Sequence, residues 1–413
     1  MSKYTMHVVM SYLLAGVLTA RAGQFWEAPE YPTGAVQLSV AMGLLPGGQI
    51  SAHILTTLHS FNATDGANPE TEVLTEGVDG NLYGTTYRGG VSVKKQGGTV
   101  FQMSPAGGFA VIHFFQRFDG RNPVAGLVLG SDGLFYGTTS SRVPYSPTGG
   151  TIFSISSSGS LIVLAKLGKR LANPVAPLVQ GADGNFYGTT PGGGGFASPG
   201  AIFQIKQSGQ LNLIHRFTGG ADGDHPLGGL IQGADGAFYG TCSLGGQANK
   251  GTIYRVTSDG SFTTLYSFSG SDGASPFGGL ILANDGNFYG TTEIGGTYNV
   301  GTIFRMTPAG SVSTLHSFNI SDGAAPYAPL LQASDGKLYG TTDSGGVQNK
   351  GTIFSITTDG IFASLYVFDG VHGTGPEGGL MQHTNGLLYG TTTFGGESNL
   401  GTLYSLDLGL ARL

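Results

Sequence analysis

Residues 287–292 read NFYGTT, and close copies of this hexapeptide place tyrosines at 83, 136, 187, 239, 289, 339 and 389. Successive tyrosines stand 53, 51, 52, 50, 50 and 50 residues apart, the spacing of a repeat protein. Outward from this copy, residues 251–292 hold four strand-like pieces in order: GTIYRVT, SFTTLYSF, FGGLILA and NFYGTT. Each is short, apolar or alternating, and bounded by Gly, Asp, Ser or Pro. Four such strands make a small antiparallel sheet with two apolar faces, and only neighbouring sheets can cover both. Seven units with no helical pattern between them therefore predict an all-β fold, a seven-bladed β-propeller of four-stranded antiparallel blades.

The chain ends supply a closure test. The first copy, NLYGTT at 81–86, follows SAHILTTLHSF and a short TEVLTE strand, with no GTIF-like strand directly before them. GTLYSLDL, 401–408, is the missing piece, so one C-terminal strand is expected to join three N-terminal strands and close the ring. Residues 35–42, AVQLSVAM, either add an edge strand or pack over one face. Tight Asp-Gly turns alternate with longer connections after YGTT and after the SF strand. Both longer connections emerge on the same face of the ring, which is where a site is expected.

Composition narrows the function. Among 413 residues, 74 are glycine, 19 are basic and 25 acidic, for a net charge of -6. Nothing here forms a basic track for nucleic acid. The single cysteine, Cys242, excludes intramolecular disulfides and thiolate metal clusters, and it stands where most repeats have Thr, as a small buried residue. Residues 1–22 combine a lysine, an apolar run and Ala20-Arg21-Ala22, the pattern of a signal peptide, and the run is too interrupted for a stable membrane span. The expected organisation is a signal peptide at 1–22, an N-terminal extension at 23–50 and the propeller at 51–413, secreted or within the secretory pathway. Asn62 and Asn319 head two glycosylation sequons.

No HExxH, GxSxG, dinucleotide fingerprint or EF-hand loop is present, and no cofactor or metal is predicted, although turn oxygens leave calcium open. His59, His215 and His316 share a strand position with Tyr266 and Tyr366, which reads as packing, and Asp235, Asp285 and Asp335 share a hairpin turn. Two registers on the loop face vary sharply beside repeated turns. One, just after YGTT, holds Tyr87, Ser140, Pro191, Ser243, Glu293, Asp343 and Thr393; the other, just after the loop proline, holds Glu70, Val124, Val175, Leu227, Phe277, Tyr327 and Glu377. Such variation fits side chains facing a common space, and solvent exposure produces it as well. His225 in GDHP, Arg142 and Tyr145 in SSRVPYSPTGG, and the loop aromatics Tyr298 and Phe394 are further departures from the repeat.

The DG, YGTT, GG, GTIF, LYSF and DGxxP elements resemble the GloVer tandem repeat over roughly residues 51–408. That resemblance implies a scaffold and no particular chemistry. With its secretory leader, complete ring and sparse charged machinery, the chain is also similar to the fungal hetero-Diels-Alderases of tropolonic sesquiterpenoid biosynthesis. This similarity implies a cofactor-free enzyme joining a humulene-type triene to an o-quinone methide formed by dehydration of a hydroxymethyl tropolone, hence small hydrophobic polyketide and terpene partners. On that reading Tyr87, Arg142 or His225 polarises the tropolone carbonyl, and Glu293, Glu377 or His225 assists loss of water. Tyr145, Phe277, Tyr298, Tyr327 and Phe394 supply binding walls. The alternatives are a secreted glycan-binding or protein-interaction propeller, and a polysaccharide lyase or hydrolase. One asymmetric pocket favours an enzyme, and several equivalent loop clusters favour a lectin-like module.

Overall fold

Each copy of the hexapeptide forms a five-residue strand, such as Phe288–Thr292, every residue of which is buried. Threonine and aromatic residues suit extended backbone, and the turn before them is built for reversal. Gly286 adopts φ 80°, and the Asp285 carboxylate accepts from the Asn287 amide at 3.0 Å. The Tyr289 hydroxyl then returns to donate to the same carboxylate at 2.7 Å. Five further copies repeat this bond, and in the last Asn385 replaces the aspartate and donates to Tyr389 at 2.8 Å. Gly290 is required by packing: a Cβ there would lie 2.7 Å from Phe304 Cζ.

A computed structural model describes residues 37–44, 50–70, 73–90, 97–140, 149–168, 171–192 and 199–413. They fall in one unit, Val36–Leu413. The expected signal peptide lies outside the described residues. Six four-stranded antiparallel sheets and one five-stranded sheet follow one another. Blades 1 to 6 span residues 75–114, 128–166, 179–216, 231–267, 281–317 and 331–367. Within a blade the order is a two-residue inner strand (Ile281–Leu282), the YGTT strand (Phe288–Thr292), the GTIF strand (Thr302–Met306) and an outer strand (Val312–Ser317).

Blade 7 closes the ring. Its C-terminal strand Thr402–Asp407 pairs with the N-terminal strand Ile50–Ser60, from Ile54 opposite Asp407 to Ser60 opposite Thr402. This is the expected closing pair. The blade's other strands, Met381–Gln382 and Leu388–Thr392, come from the C-terminal side, so three C-terminal strands meet N-terminal ones. Thr75–Glu76 and Leu82–Thr86 instead start blade 1 with Thr99–Met103 and Phe109–Phe114. The repeat is cyclic, and its period leaves the frame free: GTIYRVT and SFTTLYSF end blade 4, while FGGLILA and NFYGTT begin blade 5. Gln37–Leu44, within the N-terminal extension, adds an edge strand to blade 7.

The core lies between blades. Tyr239, Ile253 and Phe268 of blade 4 form one cluster with Leu280, Phe288, Phe304 and Met306 of blade 5. The Tyr239 and Phe288 rings pack at 4.3 Å, and the equivalent pair Tyr83–Phe135 packs at 4.2 Å. The first threonine of YGTT adds a polar tie across the same seam: Thr291 donates to the Ala328 carbonyl at 3.2 Å, and Thr391 crosses the closure to Pro69 at 3.1 Å. His215 stacks on Phe262 at 3.9 Å with Nε2 3.4 Å from Asp222, which is the packing role expected of that register. Cys242 is fully buried.

Burial alone would raise the Asp285 carboxyl, but bonds from the Tyr289 hydroxyl and Asn287 more than offset it and hold it below its ordinary 3.8. The stability this supplies is present above 3.8 and is lost as pH falls through the depressed value. Tyr289→Phe is therefore expected to lower unfolding free energy by about 1 kcal/mol at pH 7, since solvent screens the exposed carboxylate. In urea melts the difference from wild type should shrink as pH drops below about 4; a difference that stays constant to pH 2 would contradict this account.

Candidate functional site

The loop after each outer strand turns inward through a residue in left-handed conformation, then the proline, then the short inner strand. In blade 5 these are Ser275 (φ 52°), Pro276 and, after Phe277, the strand Ile281–Leu282. The strand end after YGTT is tied to the same loop, for the Glu293 amide donates to the Ser275 carbonyl at 2.9 Å. Repetition brings the residue after the proline from all seven blades around one cavity of about 450 Å³, joined there by Glu293 and Asp343. The two variable registers thus meet at one site, the second in full and the first in two members.

The cavity is asymmetric. Val124, Val175, Leu227 and Phe277, from blades 2 to 5, form an apolar arc. Glu293, Asp343, Glu377 and Glu70, from blades 5, 6, 7 and 1, form an acidic arc with Tyr327 among them. Among the described residues no Lys, Arg or His lines the cavity. The Tyr327 hydroxyl donates to Glu293 Oε1 at 3.1 Å, and its ring meets Phe277 edge-on at 5.0 Å. Burial pushes the Tyr327 hydroxyl well above its ordinary range, and the charges of Glu293, Asp343 and Glu377 add to this, so it remains a donor. Asp343 is half-buried; burial raises its carboxyl, and the charge of Glu293 raises it further. Among the described residues no group of three or more His, Cys, Asp and Glu side chains is arranged to hold a metal ion.

A third register flanks the residue after YGTT. In several blades the left-handed residue's side chain bonds to the carbonyl of the post-YGTT residue one blade back. Asn68 reaches Thr393 at 3.1 Å, Asn122 reaches Tyr87 at 3.0 Å and Ser275 reaches Ser243 at 3.4 Å. The equivalent positions facing Glu293 and Asp343 are Ala325 and Gly375, which cannot make this bond. The two carboxylates of that register coincide with the two smallest neighbours.

Of the residues singled out in the sequence, Glu293, Glu377, Phe277 and Tyr327 surround the cavity. Tyr87 does not line it: it is buried, with the Arg88 guanidinium 5.0 Å from its ring. His225 occupies the left-handed register at φ 56°, its Nδ1 2.6 Å from Asp224. Tyr298 and Phe394 are exposed on loops outside the cavity lining. Arg142 and Tyr145 lie outside the described residues. Asn62 and Asn319 each donate their side-chain amide to a nearby aspartate, Asp65 at 2.6 Å and Asp322 at 2.7 Å. Glu70 and Asp343 belonged to the variable registers but were not chosen as site residues, and Ala325 and Gly375 drew no notice. The available signal was the run of acidic departures in consecutive repeats.

A family model described as the Gloeobacter/Verrucomicrobia repeat matches residues 43–233 and 228–410. The chain belongs to this family. No curated protein matches it. Among solved structures it is similar to a protein from Bacteroides uniformis provisionally named a 6-phosphogluconolactonase, with TM-score 0.55, 17% identity, and coverage of 78% of this chain and 92% of the other. A protein of the same provisional name from Bacteroides fragilis gives TM-score 0.53 and 19% identity, over 76% and 88% of the two chains. At such identities the shared property is the propeller fold. These findings overturn the hetero-Diels-Alderase reading and its polyketide and terpene partners: the Gloeobacter/Verrucomicrobia repeat family is defined by its repeat, and the similar structures carry lactonase names. The cavity agrees, because an apolar triene would have to desolvate four carboxylates without pairing them.

A raised carboxyl favours folding only while protonated, so Asp343 contributes stability that is complete below its unfolded value and is lost as pH rises through its folded value. Asp343→Asn is expected to match wild type in thermal melts near pH 3 and to become the more stable protein as pH rises toward 7. A melting difference independent of pH would remove the electrostatic account of this site.

Proposed function

We propose that the cavity binds and hydrolyses a sugar lactone, neutral or amino-bearing, with Glu293 as general base and Asp343 as general acid. The observation that carries this reading is the pair of carboxylates in unequal settings. Glu293 accepts the Tyr327 hydroxyl, and Asp343 has its protonated form favoured by burial and by Glu293. Environments that drive two carboxyls apart divide the acid and base roles between them. Glu293 takes a proton from water, whose oxygen attacks the lactone carbonyl. The ring C–O bond breaks, and Asp343 gives its proton to the departing oxygen. The product is the hydroxy acid, and proton return from Glu293 to Asp343 resets the pair.

Shape supports the same class. A sugar ring has an apolar C–H face for the Val124, Val175, Leu227 and Phe277 arc and hydroxyls for the carboxylates. The provisional lactonase names of the two similar structures add support to the reaction type. Charge argues against their phosphorylated substrate, because among the described residues the polar groups lining the cavity are four carboxylates and the Tyr327 hydroxyl.

The test is proton release in a pH-stat with glucono-1,5-lactone, its 2-amino analogue and its 6-phosphate, each above the buffer rate. Wild type is expected to hydrolyse the first two and to be slow on the third. Glu293→Gln should lower kcat by about 10²- to 10⁴-fold. Activity should fall as pH rises through the elevated Asp343 value, and Asp343→Asn should lose that alkaline limb together with most of the rate. Folded protein that leaves all three lactones at the buffer rate would refute the proposal.

A further inference from the structure

Glu293 and Asp343 move the protons of the proposed hydrolysis, but neither can stabilise the charge that forms between those transfers. When water adds to a lactone, the carbonyl oxygen becomes negative and needs a hydrogen-bond donor beside it. The described lining offers that oxygen carboxylates, which repel it, an apolar arc, which cannot solvate it, and the hydroxyl of Tyr327. Tyr327 stands in blade 6 at the register that Phe277 fills in blade 5. Its ring lies edge-on against Phe277 at 5.0 Å, and its hydroxyl donates to Glu293 Oε1 at 3.1 Å. That bond is long for a hydroxyl donor, so the donor is held next to the base and is open to exchange for a nearby acceptor.

We infer that Tyr327 is the oxyanion donor of this site, its hydroxyl donating to Glu293 before reaction and to the lactone carbonyl oxygen as water adds. The inference rests on the lactone-hydrolysis reading and deepens it by a third catalytic residue. The exchange follows from where the negative charge lies, because a hydrogen bond to an ionised acceptor is roughly twice as strong as one to a neutral acceptor. Before attack the ionised acceptor is Glu293. Once Glu293 has taken the water proton it is neutral, and the charge stands on the carbonyl oxygen. The hydroxyl thus gains most in the transition state, the condition for raising kcat instead of affinity. It lends a hydrogen bond and gives up no proton: burial, and then the charges of Glu293, Asp343 and Glu377, keep the phenol protonated. The proton balance between Glu293 and Asp343 is unchanged.

Tyr327→Phe keeps the ring and supplies the residue that the fold already accepts at 277, so the variant should fold, which a thermal melt checks. On glucono-1,5-lactone in a pH-stat its kcat should fall about 10²- to 10³-fold, with KM changed by less than about twofold. Hydroxylamine separates this role from mere orientation of Glu293, because that nucleophile attacks without a general base. Its nitrogen bonds to the carbonyl carbon, the ring C–O bond breaks, the departing oxygen takes a proton, and the hydroxamic acid is read by its iron(III) colour above the uncatalysed rate. With hydroxylamine Glu293→Gln should recover much of its loss, whereas Tyr327→Phe should keep its full defect. A Tyr327→Phe defect that disappears with hydroxylamine would make the tyrosine a positioning residue for Glu293 and overturn the inference. A wild-type kcat in water would overturn it too, and in both cases lactone hydrolysis stands. Folded wild type that leaves the lactone at the buffer rate would remove the hydrolytic reading and the oxyanion donor with it.

Discussion

Every blade is a sheet of four or five short strands with two apolar faces, and neither face can be left to water. All other features depend on how adjacent blades meet that requirement. Tyrosine of one blade packs on phenylalanine or leucine of the next, and the threonine two residues after that tyrosine ties the next blade's inner carbonyl across the seam. The aspartate of the Asp-Gly turn holds the tyrosine hydroxyl in six copies, fixing its ring for the neighbour. Because these three contacts share one hexapeptide, a local sequence carries the turn, the strand and the inter-blade packing together. A ring is the arrangement in which no blade lacks a partner, and the pairing of Thr402–Asp407 with Ile50–Ser60 completes it.

The same constraint creates the site without specifying its chemistry. With the inner strands held at a common radius, the residue after each loop proline must project into a shared space whatever its identity. Seven positions become available at little structural cost, since the packing contacts lie elsewhere in the repeat. Val124, Val175 and Leu227 occupy them on one side and Glu377 and Glu70 on the other, so asymmetry arises from side chains on an almost symmetric backbone. This cavity is asymmetric, unlike the repeated equivalent clusters expected of a lectin-like ring.

Much of this was legible in the sequence because period is a one-dimensional property. The fifty-residue spacing, the four strands per unit and the closing role of 401–408 follow from patterns that survive without coordinates. The frame did not follow, since a cyclic repeat can be cut at any strand, and the cut through NFYGTT mixed halves of two blades. The convergence of the variable registers was visible as variation beside repeated turns. What could not be read was the neighbour relation between blades, which sets Ala325 beside Glu293 and Gly375 beside Asp343, 32 residues apart in each pair. Small residues in a glycine-rich chain give no signal until their opposite numbers are known. His225 misled for the same reason: its oddity belongs to the left-handed register, where its ring meets Asp224 and does not line the cavity.

Electrostatics gives the acidic arc its meaning. Four carboxylates converge on one side of the cavity, and like charges so placed oppose folding. Packing does not require them, because Val124, Val175 and Leu227 hold the equivalent positions in other blades. Hydrogen bonding engages one of them within the cavity, for the Tyr327 hydroxyl donates to Glu293. Burial first, and then the charge of Glu293, makes Asp343 keep its proton more readily, the difference on which the proposed division between an acid and a base rests. The protein's fold explains where the carboxylates are, and burial with the neighbouring Glu293 charge explains why Asp343 holds its proton.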